Sequence, residues 1–300
     1  MATTASASPP VEGITHHTAA VNGTTLHYVS AGTSGPPILL VHGFPETWWA
    51  FHKLIPLLAA ASHRVFAVDL RGFGDSAPAE SSTHTSAAAA EDLRQLIAHH
   101  LDVGPVHLLA QDISGGAAFR LAAAHPQHVR SFGAVEMGLA GFGLEALADV
   151  THGGAWHIGV LAAPNIPELL LAGRERAFLA GAAFPSMTAV AGSITDVDYD
   201  EFARTYSRPG AWRGAAALYR SMLAEGDEIR VLAASTPLAL PVLAVGAGGG
   251  PFTEMTMRQV TAGGKVTARQ LDGVGHYAAL EAPERLAEVF LEFVRGVESA

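Results

Sequence analysis

The sequence predicts an α/β fold: a mostly parallel sheet with helices on both faces and a helical insertion. Three observations carry this expectation. Between Thr24 and Asp112, short apolar or β-branched runs alternate with longer helical patterns, the signature of β/α crossovers. The sheet pattern then stops through residues 138–232 and resumes near Pro241, as it does when helices are inserted between two strands of one sheet. Finally, 300 residues of 49% hydrophobic content can bury one large core, which fits a single domain with an insertion better than two equal domains.

The elements follow in order. Strands are expected over Thr24 to Val29, Ile38 to Val41, Arg64 to Leu70 and Val106 to Gln111. Between them, Thr47 to Ala60 and Ser86 to His100 carry apolar residues at three- and four-residue intervals, as amphipathic helices covering a sheet should. A fifth strand, Val129 to Glu136, ends at the glycine-rich stretch Gly138 to Gly143. After the insertion come a strand at Pro241 to Val245, a helix near Thr253 to Thr261, a strand at Lys265 to Leu271 and a closing helix from Pro283, a favoured first-turn residue, to Val294. The domain plan is therefore a disordered tip at 1–13, a core formed by 14–137 and 233–300, and a helical cap at 138–232.

Composition narrows the function. With 18 basic against 28 acidic residues the net charge is −10, and no basic cluster interrupts it, which argues against nucleic acids and acidic membranes as partners. The absence of cysteine excludes disulfides and thiolate metal sites, and none of the 15 histidines has the HExxH spacing, so no metal or organic cofactor is expected. The N-terminal segment has neither the basic nor the apolar region of a signal peptide, and no run approaches eighteen apolar residues. A soluble, cytoplasmic protein is expected, with dimer formation left open.

The chemistry centres on Val106 to Gly116, a strand that runs straight into a helix through a turn of small residues. Such a turn is strained and needs small side chains two before and two or three after its central residue. Ala110, Ser114 and Gly115 meet that need if Asp112 is central, whereas centring on Ser114 puts a carboxylate at the tightest point. A carboxylate is already anionic at neutral pH and attacks an sp3 carbon without a base, leaving an ester that a neutral histidine then helps water to cleave.

The order of motifs resembles that of α/β-hydrolases over nearly the whole chain, Val21 to Val297. His42-Gly43-Phe44-Pro45 is similar to their HGxP loop, Asp69 to Ser76 to their DxRGxGxS segment, and Gly273-Val274-Gly275-His276 to their catalytic-histidine loop. An aspartate at the elbow points to the epoxide hydrolase and dehalogenase branch. The resemblance implies an eight-stranded sheet, with Asp112 as nucleophile, His276 as base and the amides of Phe44 and Ile113 as an oxyanion hole. Pro45 has no N–H to give, so the Phe44 amide is the donor in that loop.

The histidine's carboxylate partner usually follows the strand after the lid in this family, but Val245 to Phe252 contains no acid. Glu136 lies where some epoxide hydrolases and dehalogenases keep it and is the expected acid, with Glu254 as alternative; Asp272 reads as a turn residue. Lid residues Trp156-His157 and Tyr219-Arg220 resemble the ring-opening pair of epoxide hydrolases, so Tyr219 and His157 are expected to serve the leaving oxygen; Tyr206 and His152 are alternatives. Trp156, Trp48 and Met137 are candidates to line the substrate pocket, joined by Phe142, Leu161 and Leu171. Core packing is the competing reading for Trp48. Asp69 and Asp75 read as loop-shaping residues, and Arg71 as the partner of a nearby carboxylate.

The function implied is hydrolysis of an apolar small-molecule epoxide by water. Alternatives are a haloacid or haloalkane dehalogenase, disfavoured because Ile113 and Gly116 stand where such enzymes tend to carry Trp or Arg, and a ligand-binding receptor on the same scaffold, which has no need of Asp112, Glu136 and His276 together.

Overall fold

The computed structural model describes residues 8–77 and 84–300; residues 1–7 of the expected N-terminal tip lie outside them. Eight strands form one sheet: β1 (Thr15–Val21), β2 (Thr24–Ala31), β3 (Pro37–Val41), β4 (Arg64–Val68), β5 (Val106–Gln111), β6 (Val129–Val135), β7 (Val242–Gly246) and β8 (Thr267–Gln270), in the order β1-β2-β4-β3-β5-β6-β7-β8. The pairs from β4 to β8 are parallel, while β1/β2 and β2/β4 are antiparallel. β3 is buried at all five positions and β5 at all six, as expected of central strands covered on both faces.

Helix α1 (Leu54–Ala60) follows a 3-10 turn at Trp48–Phe51, in place of the single helix expected from Thr47. Pro56 explains the break: its ring would clash with the carbonyl four residues back, so it fits only in a first turn. Next come α2 (Ser86–His99) and α3 (Gly115–Ala124). Between β6 and β7 the chain forms α4 (Trp156–Ala162), α5 (Ile166–Leu171), α6 (Glu175–Phe178), α7 (Asp196–Tyr206), α8 (Trp212–Ala224) and α9 (Gly226–Ser235), with no strand. Helices α10 (Phe252–Val260), α11 (Ala278–Glu281) and α12 (Pro283–Glu298) complete the chain. None of the helices among the described residues is long and apolar enough to cross a membrane.

Strand β1 is absent from the sequence expectations. It lies at the sheet edge, where only Ala19 and Val21 of its seven residues are buried, so its apolar signal is weak. The turn joining it to β2 is nevertheless written in the chain: Asn22 and Gly23 both have positive φ (38° and 73°), as a two-residue hairpin turn of the mirror-image type requires. The loop after β4 is fixed by two buried carboxylates. Asp69 accepts hydrogen bonds from the Trp48 and Asp75 amides and pairs with His27 at 2.7 Å, and Arg71 pairs with Asp92 of α2.

Candidate active site

Asp112 stands at the junction of β5 and α3 with φ 54°, a left-handed conformation that a non-glycine residue adopts only when its surroundings impose it. Glycines make room for it. A Cβ on Gly43 would lie 2.4 Å from Asp112 Cβ, so only glycine lets the loop after β3 approach the elbow. That approach brings the Phe44 amide to Asp112 Oδ2 at 2.8 Å, and the Ile113 amide also donates to this carboxylate. The Ser114 hydroxyl donates to the Gln111 carbonyl at 2.6 Å and is buried, facing the backbone.

The His276 imidazole lies between two carboxylates, with Nε2 3.6 Å from Asp112 Oδ1 and Nδ1 3.4 Å from Glu136 Oε2. Its amide donates to the Met187 carbonyl at 2.8 Å, which anchors the histidine loop to the helical insertion. Burial alone would lower the His276 pKa, but hydrogen bonds and charge from Asp112 and Glu136 outweigh it and raise the value to about 10. For Asp112, burial acts upward; the His276 hydrogen bond and charge, with the Phe44 and Ile113 amides, prevail and hold its carboxyl below the ordinary value.

Glu136 also has positive φ (46°), which ends β6 one residue earlier than expected. Its carboxylate accepts hydrogen bonds from the Ala247 and Gly249 amides, the latter at 2.8 Å. The glycine-rich loop after β7, which carries no acid of its own, thus supplies N–H donors to an acid from the neighbouring strand. A Cβ at Gly249 would come within 3.3 Å of the Glu136 carboxylate. Glu254 pairs instead with Arg258 one turn along α10, and Asp272 lends its carbonyl to Arg285.

A cavity of about 150 Å³ opens over Asp112, and the helical insertion supplies much of its wall. Tyr219 of α8 and His157 of α4 both line it, with ring centroids 6.2 Å apart and the Phe44 ring 5.4 Å from Tyr219 and 6.4 Å from His157. Burial holds the Tyr219 phenol protonated, well above its ordinary pKa, and lowers that of His157, which is therefore a neutral imidazole at pH 7. Of the alternatives, Tyr206 is buried and does not line the cavity, while His152 is exposed and bonded to Asp149.

Three expected pocket residues do not line it. Trp48 is buried against His16 of β1, His27 of β2 and Trp49. Met137 is buried against Gly115, where a Cβ would lie 2.5 Å from its methyl carbon, so it packs against the elbow. Trp156 is 54% exposed; it lies one residue before His157, and consecutive helical residues point about 100° apart. Phe142, Leu161 and Leu171 are also outside the lining, which is formed instead by Leu144, Leu147, Ile158, Met187, Met222 and Phe252. One of these was accessible to sequence reasoning, since Met222 lies three residues after Tyr219 on the same helical face.

Among the described residues, the His and carboxylate group compact enough for a cation is His27, Asp69 and Asp75. Its members are engaged with one another and with Arg204, so the donor set is that of an ion-pair network.

A strained aspartate at a strand-to-helix elbow, amide donors from the loop after β3, and a histidine after the last strand form one constellation on an eight-stranded sheet. The profile of the alpha/beta hydrolase fold matches residues 36–138. The crystal structure of Cfl2 from Burkholderia cenocepacia superposes with a TM-score of 0.87 at 32% identity, over 95% of this chain and 97% of that one. The chain belongs to the α/β-hydrolase family. Within this family it is similar to a soluble epoxide hydrolase of Corynebacterium sp. (strain C12), 29% identical over 290 residues, which are 93% of this chain and 97% of the relative. The structure of the epoxide hydrolase CorEH without ligand matches with a TM-score of 0.83 at 27% identity, covering 95% of this hydrolase and 99% of that chain.

Proposed function

We propose that this hydrolase opens an apolar epoxide to a vicinal diol through an ester on Asp112. The single observation that carries the reading is the division of labour at that carboxylate: Oδ2 is held by the Phe44 amide, Oδ1 faces His276, and Tyr219 and a neutral His157 line the cavity beside it. The kinship with proteins named epoxide hydrolases supports it.

In the first step a lone pair of Asp112 Oδ1 attacks an epoxide carbon, forming a C–O bond as the ring C–O bond breaks. The leaving alkoxide is strongly basic, and the Tyr219 phenol and His157 N–H are the donors that stabilise it. Alkylation cancels the charge on Asp112 that raised the His276 pKa. The imidazolium then gives up its proton, ultimately to the new alcohol, and becomes a base.

In the second step water loses a proton to His276 Nε2 and its oxygen attacks Cγ of the ester. The oxyanion develops on Oδ2, where the amides of Phe44 and Ile113 already point. Collapse breaks the Cγ–Oδ1 bond. The departing oxygen takes the proton from His276, the proton left on the Asp112 carboxyl passes back to His276, and the diol leaves. Glu136 supports the imidazolium throughout, held by the amides of Ala247 and Gly249.

The cavity supports an apolar substrate. A space of about 150 Å³ lined by Leu, Ile and Phe side chains is known to take a benzene-sized guest. Among the described residues that line it there is no Lys or Arg, and the His276 imidazolium is already shared by Asp112 and Glu136, so a haloacid carboxylate would find no free counter-ion there.

The test is a single turnover in 18O water. Label is expected in the Asp112 carboxylate, and label found in the product with none in the enzyme would exclude the ester route. Replacing Tyr219 with phenylalanine removes one leaving-group donor. The expected result is a fall of about 10- to 100-fold in the rate of ester formation, read by rapid-quench mass spectrometry, with ester breakdown changed much less.

A further inference from the structure

A third carboxyl lies against the site. Glu46, which directly follows Phe44-Pro45, is fully buried and does not line the cavity. Its Oε2 accepts the Gly43 amide at 3.2 Å, and its Oε1 stands 3.5 Å from Gln111 Nε2, too far for a good hydrogen bond. The same Gln111 nitrogen donates to the His276 carbonyl at 3.2 Å. Glu46 therefore touches the loop that supplies the Phe44 amide and, through one side chain, the loop that carries the histidine.

Among the described residues no Lys or Arg pairs with Glu46, although a buried carboxylate normally demands a cation or several donors. The charged groups that face it are His276 and Asp112, and the phenols of Tyr206 and Tyr277 also feel its charge. Burial pushes the Glu46 carboxyl up to about 8, with the His276 charge opposing and the Asp112 charge adding to the shift. Burial keeps Tyr206, Tyr277 and Tyr219 protonated far above that range.

The two half-reactions respond differently to a negative charge at this position. Ester formation consumes the Asp112 charge, so a neighbouring anion does not oppose it. Ester hydrolysis creates an oxyanion on Asp112 and requires His276 to be neutral before it accepts a proton from water. A charged Glu46 opposes both requirements, by repelling the oxyanion and by holding His276 as imidazolium.

We infer that Glu46 is a positioning residue for ester hydrolysis: as a neutral acid it lets His276 act as a base, and its ionisation slows ester breakdown while leaving ester formation intact. It neither gains nor loses a proton during the cycle. The inference rests on the epoxide hydrolase reading above.

The test follows the covalent adduct with styrene oxide by rapid quench and intact mass, between about pH 6.5 and 9.5, in the wild-type protein, Glu46→Gln and Glu46→Asp. In the wild type, adduct breakdown should fall about tenfold through a midpoint near 8 while adduct formation stays within about twofold. Glu46→Gln should lose the fall, and Glu46→Asp, which restores a titrating carboxyl, should keep one.

A fall that persists in Glu46→Gln, a wild type with no fall, or formation and breakdown falling in parallel would each overturn the inference while leaving the ester mechanism standing. Absence of any adduct in the wild type overturns both. Infrared spectra of the wild type give a measurement that does not depend on a variant folding. In the free protein a protonated-carboxyl band should disappear with a midpoint near 8, and its absence at pH 6.5 counts against the inference.

Discussion

Asp112→Asn is expected to lower kcat/KM by about 10⁴-fold or more and to abolish the covalent adduct in intact mass spectra. The amide has the shape of the carboxylate but lacks its charge, so it cannot attack an sp3 carbon at a useful rate. Asparagine is also among the residues that best tolerate the left-handed conformation found here, with φ 54°, so the fold should survive the change. Measurement of the His276 pKa by NMR supplies an independent check. Two carboxylates raise that pKa to about 10, and removing the charge of one should move it down. An Asp112→Asn protein that still forms an adduct would place the nucleophile elsewhere.

His276→Gln is expected to separate the two half-reactions. On the proposed ester mechanism, ester formation needs only the Asp112 carboxylate and the leaving-group donors, so the variant should show a burst of about one adduct per chain. Breakdown then loses its base and should slow by about 10³-fold or more, trapping the ester on Asp112. Glutamine keeps much of the side-chain volume between Asp112 and Glu136, so the 3.4 Å approach to Glu136 need not collapse. If no adduct accumulates with any epoxide, while activity is lost, histidine is needed before the ester forms and the order of events is wrong.

The parts of the site legible in the sequence are those whose backbone shape is written locally. Asp112 stands out because the small residues Ala110, Ser114 and Gly115 surround it at the spacing a strained elbow needs, and the observed positive φ is that strain. Phe44 is implied by the resemblance of its loop, in which Pro45 has no N–H to give, while the close approach that Gly43 permits is visible only in the structure. Glu136 is implied by the resemblance to epoxide hydrolases and dehalogenases that carry the acid there, once the loop after β7 is seen to have none. The structure supplies the physical complement, because that loop turns its Ala247 and Gly249 amides toward the Glu136 carboxylate.

The pocket wall is much less legible. Trp48 and Leu144 are both apolar residues near motifs or turns, and nothing in their local sequence says that the first packs against β1 and β2 while the second faces the cavity. Helices in the insertion carry apolar residues on more than one side, so periodicity alone does not choose which side roofs the site; Trp156 and His157 are adjacent, yet only His157 lines the cavity. Glu46 escapes sequence reasoning because a carboxylate after a proline ordinarily reads as a solvated helix start. Only the packed structure shows it wholly buried beside Gln111, whose side chain links it to the loop that carries His276.

The sequence by itself therefore determined seven of the eight strands in chain order and the elbow aspartate, whose small neighbours meet the torsional and steric demands of the turn, and it marked the histidine loop by its resemblance to the α/β-hydrolase motif. The tertiary structure alone decided the spacing of the carboxylates around His276, which apolar side chains wall the cavity and which acid, Glu46, is stripped of water. These are matters of distance and burial between segments far apart in the chain, and local sequence carries no record of them.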